Sequence, residues 1–213
     1  MQVTIFGAGN MARAVATRAL FGRHTVRIID RDRDRADKLA TDLRGSVPHA
    51  DVQAAGRSGL DTADVVVLAV PFDAAERIAA EHADALAGRA VVDLSNPVDF
   101  TTFDALVVPP GSSAAEQIAA AAPRAHVVKA FNTTFAGNLA EGHAGGMPLD
   151  VFIAGDDPAA KETVAELAKS AGLRPIDAGP LRRARELEGF QFLHMTLQPQ
   201  LGTNWSSAIK IVG

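Results

Sequence analysis

The stretch "VTIFGAGNMARAVA", Val3 to Ala16, decides the fold. It joins a short β-branched run to an Ala-rich helical pattern through Gly7, Gly9 and Ala12, the spacing G-x-G-x-x-A. The first glycine permits a tight turn, and Gly9 has no side chain to hold the backbone away from a pyrophosphate. The small Ala12 lets helix and strand pack closely, and a diphosphate can rest on the positive helix N-terminus. The spacing alone is a weak signal. Set between a strand and a helix, with Asp30 following 21 residues after Gly9, it reads as a dinucleotide-binding turn.

The rest of the chain repeats the same alternation. Strands are expected at 3–6, 25–30, 65–70, 90–94, 126–131, 150–154 and 173–177, with helices near 10–21, 33–43, 73–86, 112–121, 134–141 and 158–170. The strand runs are almost continuously apolar, as strands covered on both faces should be. The pattern predicts an α/β, Rossmann-type, doubly wound and mainly parallel sheet. Gly179 and Pro180 punctuate its end. A dinucleotide-binding domain is expected over 1–180, and a helical tail over 181–213, with a helix near 182–197, closing the site or a dimer interface. "FLHMTLQPQLG", Phe192 to Gly202, is apolar for a tail and should pack on the body or on a second subunit.

Composition narrows the function. The 213 residues carry a formal charge of −4 and only 5% aromatic residues, without a single Tyr, which argues against nucleic acid as a partner. There is no Cys, so disulfides, thiolate metal sites and cysteine nucleophiles are excluded. The six His residues are dispersed, and none has the i, i+4 spacing of a zinc pair; no metal is expected. No G-x-S-x-G elbow supplies a serine nucleophile. His194 is expected on a helix face, His143 in a solvated loop, and "RRARELEG" (182–189) as a charged, solvated helix start. "MQVTIFGAGN" has no basic region ahead of an apolar stretch, and "VVVLAV" (65–70) is too short to cross a bilayer. A soluble, cytoplasmic chain is expected, with no membrane partner.

In an open parallel sheet, ligands lie beyond the carboxyl ends of the strands. "IIDRDRD", Ile28 to Asp34, ends the second strand with an acid beside a base. Asp30 can accept from adenosine ribose hydroxyls, favouring NAD(H), while Arg31 and Arg35 can clamp a 2′-phosphate. A relaxed preference leaning slightly to NAD(H) is expected. Further on, Pro71 and Phe72 follow the third clear strand, Ser95, Asn96 and Pro97 the fourth, and Phe131, Asn132, Thr133 and Thr134 the next. An Asn amide both donates and accepts, so Asn96 or Asn132 suits a nicotinamide carboxamide.

With these residues in view, the chain resembles the deazaflavin-dependent NADP oxidoreductase family. The resemblance rests on "GAGNMARA", "AVPFDA", "VVKAFNTTFAGNL", "VFIAGDDPAAKE" and "GLRPIDAGPLRRARELE", spread over nearly the whole chain. Within that family it is similar to short bacterial dinucleotide-binding oxidoreductases. "KAFNT" also resembles the cytosolic domain of membrane ferric reductases of the six-transmembrane epithelial antigen type, whose membrane part and haem path this chain is expected to lack. The resemblance implies that Gly7, Ala8 and Gly9 bind pyrophosphate, with Asn10 and Met11 near the nicotinamide. Val70, Pro71 and Phe72 would border ribose and ring, and Asn132, Thr133 and Thr134 would line the pocket of the second redox partner. Family members that bind NADP carry a small hydroxyl residue before the Arg at the second strand end. Here that place holds Asp30, and Arg31 matches.

Hydride transfer asks for geometry more than for catalytic side chains, holding donor and acceptor carbons roughly 3–3.5 Å apart with water excluded. The expected activity is therefore an NAD(P)H-dependent oxidoreductase, without a catalytic side chain of its own, passing hydride to a flat small-molecule partner, a deazaflavin or a flavin. Two alternatives stay open. A dehydrogenase or imine reductase would need a long helical domain, whereas 34 residues follow Gly179, unless a homodimer completes each pocket. A non-catalytic dinucleotide sensor would bind without turnover.

Overall fold

A computed structural model describes residues 1–212. In chain order the elements are β1 (Gln2–Phe6), α1 (Asn10–Phe21), β2 (Thr25–Ile29), α2 (Arg33–Ser46), β3 (Val52–Ala54), β4 (Val65–Leu68), α3 (Phe72–Glu81), α4 (Ala83–Leu86) and β5 (Ala90–Asp93). There follow α5 (Ala114–Ala121), β6 (His126–Lys129), α6 (Ala136–Glu141), a small hairpin of β7 (His143–Ala144) and β8 (Met147–Pro148), β9 (Asp150–Gly155), α7 (Pro158–Ser170), β10 (Arg174–Gly179), α8 (Ala184–Thr196) and α9 (Gln198–Leu201).

Eight strands form one sheet in the order β10-β9-β6-β5-β4-β1-β2-β3. From β1 the chain winds first toward β3 and then, through β4, the other way, so the order reverses between β1 and β4. All pairings are parallel except that of β6 with β9, which is antiparallel and confined to Val128 with Gly155 and Lys129 with Ala154. After β6 the chain turns back at the carboxyl edge through α6 and the hairpin, so β9 and β10 run against the rest. Two expected strands and helices differ in detail. The stretch 52–54 adds a short edge strand that "DVQAA" did not announce, three residues with one β-branched side chain being too few to show a period. The helix expected over 73–86 breaks at His82, whose ring lies tilted against Phe6 with centroids 5.4 Å apart.

Apolar side chains on the two faces of the sheet build two cores. One packs α1, α2 and α7 on β1, β2 and β9 through residues such as Val15, Leu39 and Val164. The other packs α3, α4 and α5 through Ala75, Leu86 and Ile118. Strands β4 and β5 are buried at every position, which accounts for the unbroken apolar run of β4 and for a β5 that is apolar up to Asp93. Helix starts are set locally: Asp32 caps α2 through the Asp34 and Arg35 amides, Ser113 caps α5, and Asp157 caps α7 ahead of Pro158.

The C-terminal segment is latched onto this body. Asp150, at the start of β9, accepts from the Arg174 guanidinium at 2.6 and 2.7 Å, from Lys210 Nζ at 2.8 Å and from the Ile211 amide at 2.8 Å. Burial opposes its ionisation, but these donors outweigh burial and hold its carboxyl down at about 2. An unfolded Asp titrates near about 3.9, so the contribution is complete above that pH and is lost as pH falls toward 2. Replacing Asp150 with Asn should lower the melting temperature at pH 7 and flatten the acid side of the stability profile between about pH 4 and 2. An unchanged acid slope in the variant's profile would refute this.

Candidate functional site

The reversal of strand order leaves a groove across the carboxyl ends of β1 and β4, where the first glycine motif lies. Gly7 sits at φ +106°, and a Cβ there would stand 2.4 Å from the Ala69 carbonyl oxygen, so only glycine fits the turn. Gly9, by contrast, faces open space: nothing lies within 4 Å of where its Cβ would be. It caps α1 with no side-chain hydrogen bond, and no acid occupies the first turn. The amides at the start of α1 thus face the open space with the helix dipole behind them, which suits a diphosphate. Ala12 is buried at the helix–sheet contact.

On one side of this turn lies a cavity of about 440 Å³. Gly7, Ala8, Asp30, Arg31, Arg35, Val70 and Pro71 line it, joined by Asp73, Arg77 and Glu81 of α3. Asp30 follows the end of β2, and its Oδ1 accepts from the Asp32 amide at 2.9 Å, so the carboxylate is engaged in its own turn. Arg33 pairs with Asp37 and Arg77 lies 3.6 Å from Asp73, whereas no ion pair among the described residues holds Arg31 or Arg35. Arg77, on α3, is a third guanidinium at this end that the sequence reading did not single out; only its place one helical turn after Asp73 marked it.

On the other side lies a second cavity, of about 480 Å³. Its lining is largely apolar: Met11, Phe72, Leu94, Pro97, Val98, Phe100, Val107 and Met195, with Asn10, Ser95 and Asn96 among them. Gly9, Ala69, Val70, Pro71 and Asp73 border both cavities, so the two are the ends of one groove. Met195 comes from α8, which brings the tail to the groove.

Of the strand-end residues, Phe131, Asn132, Thr133 and Thr134 line neither cavity. All four are buried. Phe131 adopts φ +63°, a left-handed conformation costly for a bulky side chain, by about 1–3 kcal/mol. Its ring packs against Val15 and Leu167. Asn132 stands behind Asn96: its Nδ2 donates to Asn96 Oδ1 at 3.0 Å and to the Leu187 carbonyl at 3.1 Å, while Asn96 Nδ2 donates to the Asn132 carbonyl at 3.0 Å. Asn96 keeps one amide hydrogen and one lone pair for a ligand. His194 is buried, bonded to Gln191 and to Ser207 and stacked on Phe135 at 4.7 Å. His143 is exposed.

Beneath the wall of the second cavity lies a feature that sequence reading missed. Lys129, at the end of β6, has its Nζ 2.7 Å from Asp93 Oδ2, 2.7 Å from Glu188 Oε1 and 2.6 Å from the Ser95 carbonyl. All three charged side chains are fully buried. Glu188 Oε2 also accepts from the Ala114 amide at 3.0 Å, at the start of α5. Burial raises the Glu188 carboxyl above its usual range, and nearby Asp93 adds to this, against the pull of Lys129 and the Ala114 amide. The available signal was a charge inside each apolar run, "VVDLS" and "VVKAF".

Residues 2–97 match the model of a family described as NADP oxidoreductase, coenzyme F420-dependent. The F420-dependent NADP reductase of Methanothermobacter thermautotrophicus is 31% identical over 201 residues, covering 86% of this chain and 83% of that protein. The chain belongs to this family. A solved structure of a putative F420-dependent NADP reductase from Arthrobacter sp. FB24 superposes with a TM-score of 0.83 at 32% identity, over 99% of both chains. Rat metalloreductase STEAP3 is 34% identical over 187 residues, but the chain spans only 36% of its length. Among the described residues, no helix is long and apolar enough to cross a membrane.

The groove geometry makes a sharp prediction. A Cβ at position 9 would meet nothing within 4 Å, so a Val there would stand in the space before α1. Gly9→Val should cut NADPH affinity by about 30-fold or more, roughly 2 kcal/mol, while leaving the ligand-free melting temperature nearly unchanged. Binding measured by nicotinamide fluorescence checks it; wild-type affinity in the variant would show that no diphosphate rests there.

Proposed function

We propose that the chain is an NADP(H)-linked oxidoreductase, acting in the cytoplasm, that passes hydride between a bound nicotinamide and a flat partner, a deazaflavin first and a flavin second. The observation that carries this reading is the polarity of the groove: arginines and a bare helix N-terminus at one end, an almost uncharged apolar chamber at the other. When bound, the nicotinamide exchanges a hydride and its two electrons with the partner ring, and a proton exchanged with water balances the reaction. The chain holds the reactants. The start of α1 and Gly9 receive the diphosphate, Asn96 offers its free amide hydrogen and lone pair to the carboxamide, and Pro71, Phe72, Leu94 and Val98 exclude water.

The adenosine end supports NADP(H) over NAD(H). Asp30 spends a carboxylate oxygen on its own turn, while Arg31 and Arg35 are without acidic partners and Arg77 stands across the groove. Such guanidiniums suit a 2′-phosphate. The domain boundary near residue 180 and a homodimer belong to the same reading. Phe190, Leu193, Leu197 and Leu201 form an exposed apolar stripe along α8 and α9, whereas the buried side of the same segment carries Glu188, Gln191, His194 and Gln198. A helix with its apolar side outward needs a cover, and the stripe continues past Met195 to the groove, so a second copy of this chain is its proposed occupant.

Mixing the protein with NADPH or NADH and an oxidised deazaflavin or flavin should remove nicotinamide absorbance in the deazaflavin mixture. No loss with any combination would sink the proposed activity. Arg35→Ala should lower kcat/KM for NADPH about tenfold and leave that for NADH within about twofold. Equal losses would mean that Arg35 does not read the phosphate. In sedimentation, Leu193→Asp with Leu197→Asp should convert a dimer to a monomer; a wild-type monomer would overturn the dimer.

A further inference from the structure

The wall of the groove at its nicotinamide end has few anchors of its own. Ser95 Oγ is buried with no hydrogen-bond partner, so the side chain does not fix the loop. The Ser95 backbone does. Its amide donates to Asp93 Oδ1 at 2.8 Å, and its carbonyl accepts from Lys129 Nζ at 2.6 Å. The next residue, Asn96, is held by the reciprocal amide bonds with Asn132.

Both sets of bonds lead to the same place behind the wall. Lys129 is shared with Glu188, and Asn132 donates to the carbonyl of Leu187, the residue before Glu188 on α8. Glu188 itself bridges to the start of α5 through the Ala114 amide. With Asp93 Oδ2, Glu188 Oε1 and the Ser95 carbonyl as acceptors, Lys129 has a partner for each of its three protons. Removing the Glu188 carboxylate leaves the ammonium a buried donor short, and that ammonium also carries the Ser95 carbonyl. The cluster thereby ties down both backbone polar groups of a groove residue.

We propose that Glu188 is a positioning residue: from the tail helix, through Lys129, it holds Ser95 and Asn96 in the place that receives the nicotinamide ring. The tail is then part of the cofactor site without touching the cofactor through this residue. The proposal rests on the dinucleotide reading of the groove and adds to it a residue that determines how tightly one end is held. Its consequence is a split between the two ends. The adenosine end, lined by Arg31, Arg35 and Arg77, has no bond to this network and should not feel the change.

The test compares two ligands on the full chain: NADPH, and 2′-phosphoadenosine diphosphate ribose, which is the same molecule without the nicotinamide. Titrations would use wild type, Glu188→Ala and Glu188→Gln, with thermal unfolding of each. Glu188→Ala should weaken NADPH about tenfold and the truncated ligand less than about twofold, and Glu188→Gln, which keeps a carbonyl for Lys129, should weaken NADPH about threefold. Should the Ala variant fail to fold, the Gln variant carries the same comparison. Equal weakening of both ligands would reduce Glu188 to a general support of the fold, and unchanged NADPH binding would remove its role altogether; either overturns the proposal. Wild-type protein that binds neither ligand would overturn the dinucleotide reading, and this inference with it.

Discussion

Gly7 packs its backbone against the Ala69 carbonyl, and the rest of the site follows from that approach. Strands β1 and β4 lie side by side, and their carboxyl ends must part to let the chain leave in two directions. A side chain at position 7 would collide with β4, and a residue other than glycine would resist φ +106°. With glycine there, the chain turns at once into α1, whose N-terminus then points along the gap instead of being covered by its own loop. Val70 and Pro71 leave β4 on the opposite side of the same gap. One tight contact therefore produces both the groove and the dipole that faces it.

The buried cluster of Lys129, Asp93 and Glu188 costs more than it returns if judged as a stabilising ion pair. Desolvating three charges is expensive, and well-packed apolar residues often serve a core better. What offsets the cost here is complete hydrogen bonding, including the Ser95 carbonyl, the Ser95 amide and the Ala114 amide. Apolar packing is non-directional and would let α8 slide along α5. A charged cluster with every donor and acceptor assigned admits one register, which places Met195 and Asn96 on the same groove wall.

Much of this was legible from the residues. The glycine turn, the alternation of strands and helices, and Asp30, Arg31, Arg35, Pro71, Phe72 and Asn96 follow from local pattern, Ala8, Asn10, Met11 and Val70 from the family resemblance, and the structure gathers these residues along one groove. What was not legible depends on pairing over long separations. Asn132 has the same turn chemistry as Asn96, and only the left-handed Phe131 before it turns its side chain inward to Asn96 and Leu187. Glu188 sits in "RRARELEG", where Arg183 pairs with Glu186 and Arg185 with Glu116 as a solvated face would. The sequence gives Glu188 no mark that separates it from Glu186. Its partners, Lys129 and the Ala114 amide, are 59 and 74 positions away, and periodicity carries no information over such distances. The antiparallel β9 escaped for the same reason: its apolar run is that of any buried strand, and direction is settled by the route of the chain.

The division of polarity along the groove also bears on how a chain with so few polar groups at its reaction end directs chemistry. A dinucleotide entering the groove meets guanidiniums at one end and apolar side chains at the other, and reversing it would strand phosphates among Leu94, Val98 and Phe100. Orientation is thus set far from the reacting atoms, by charges that stay solvated and keep their reach. The reaction end is then free to be dry. On the proposed reading it holds two stacked rings by shape, and Asn96 would fix the rotation of one of them. An acid or base placed there would add charge to a chamber whose purpose is to exclude water, and would lower the local preference for neutral rings. Apart from Asp73, which borders both ends of the groove, the charges at this end, on Lys129, Asp93 and Glu188, are sealed behind the wall, where they hold its shape and stay out of the chamber.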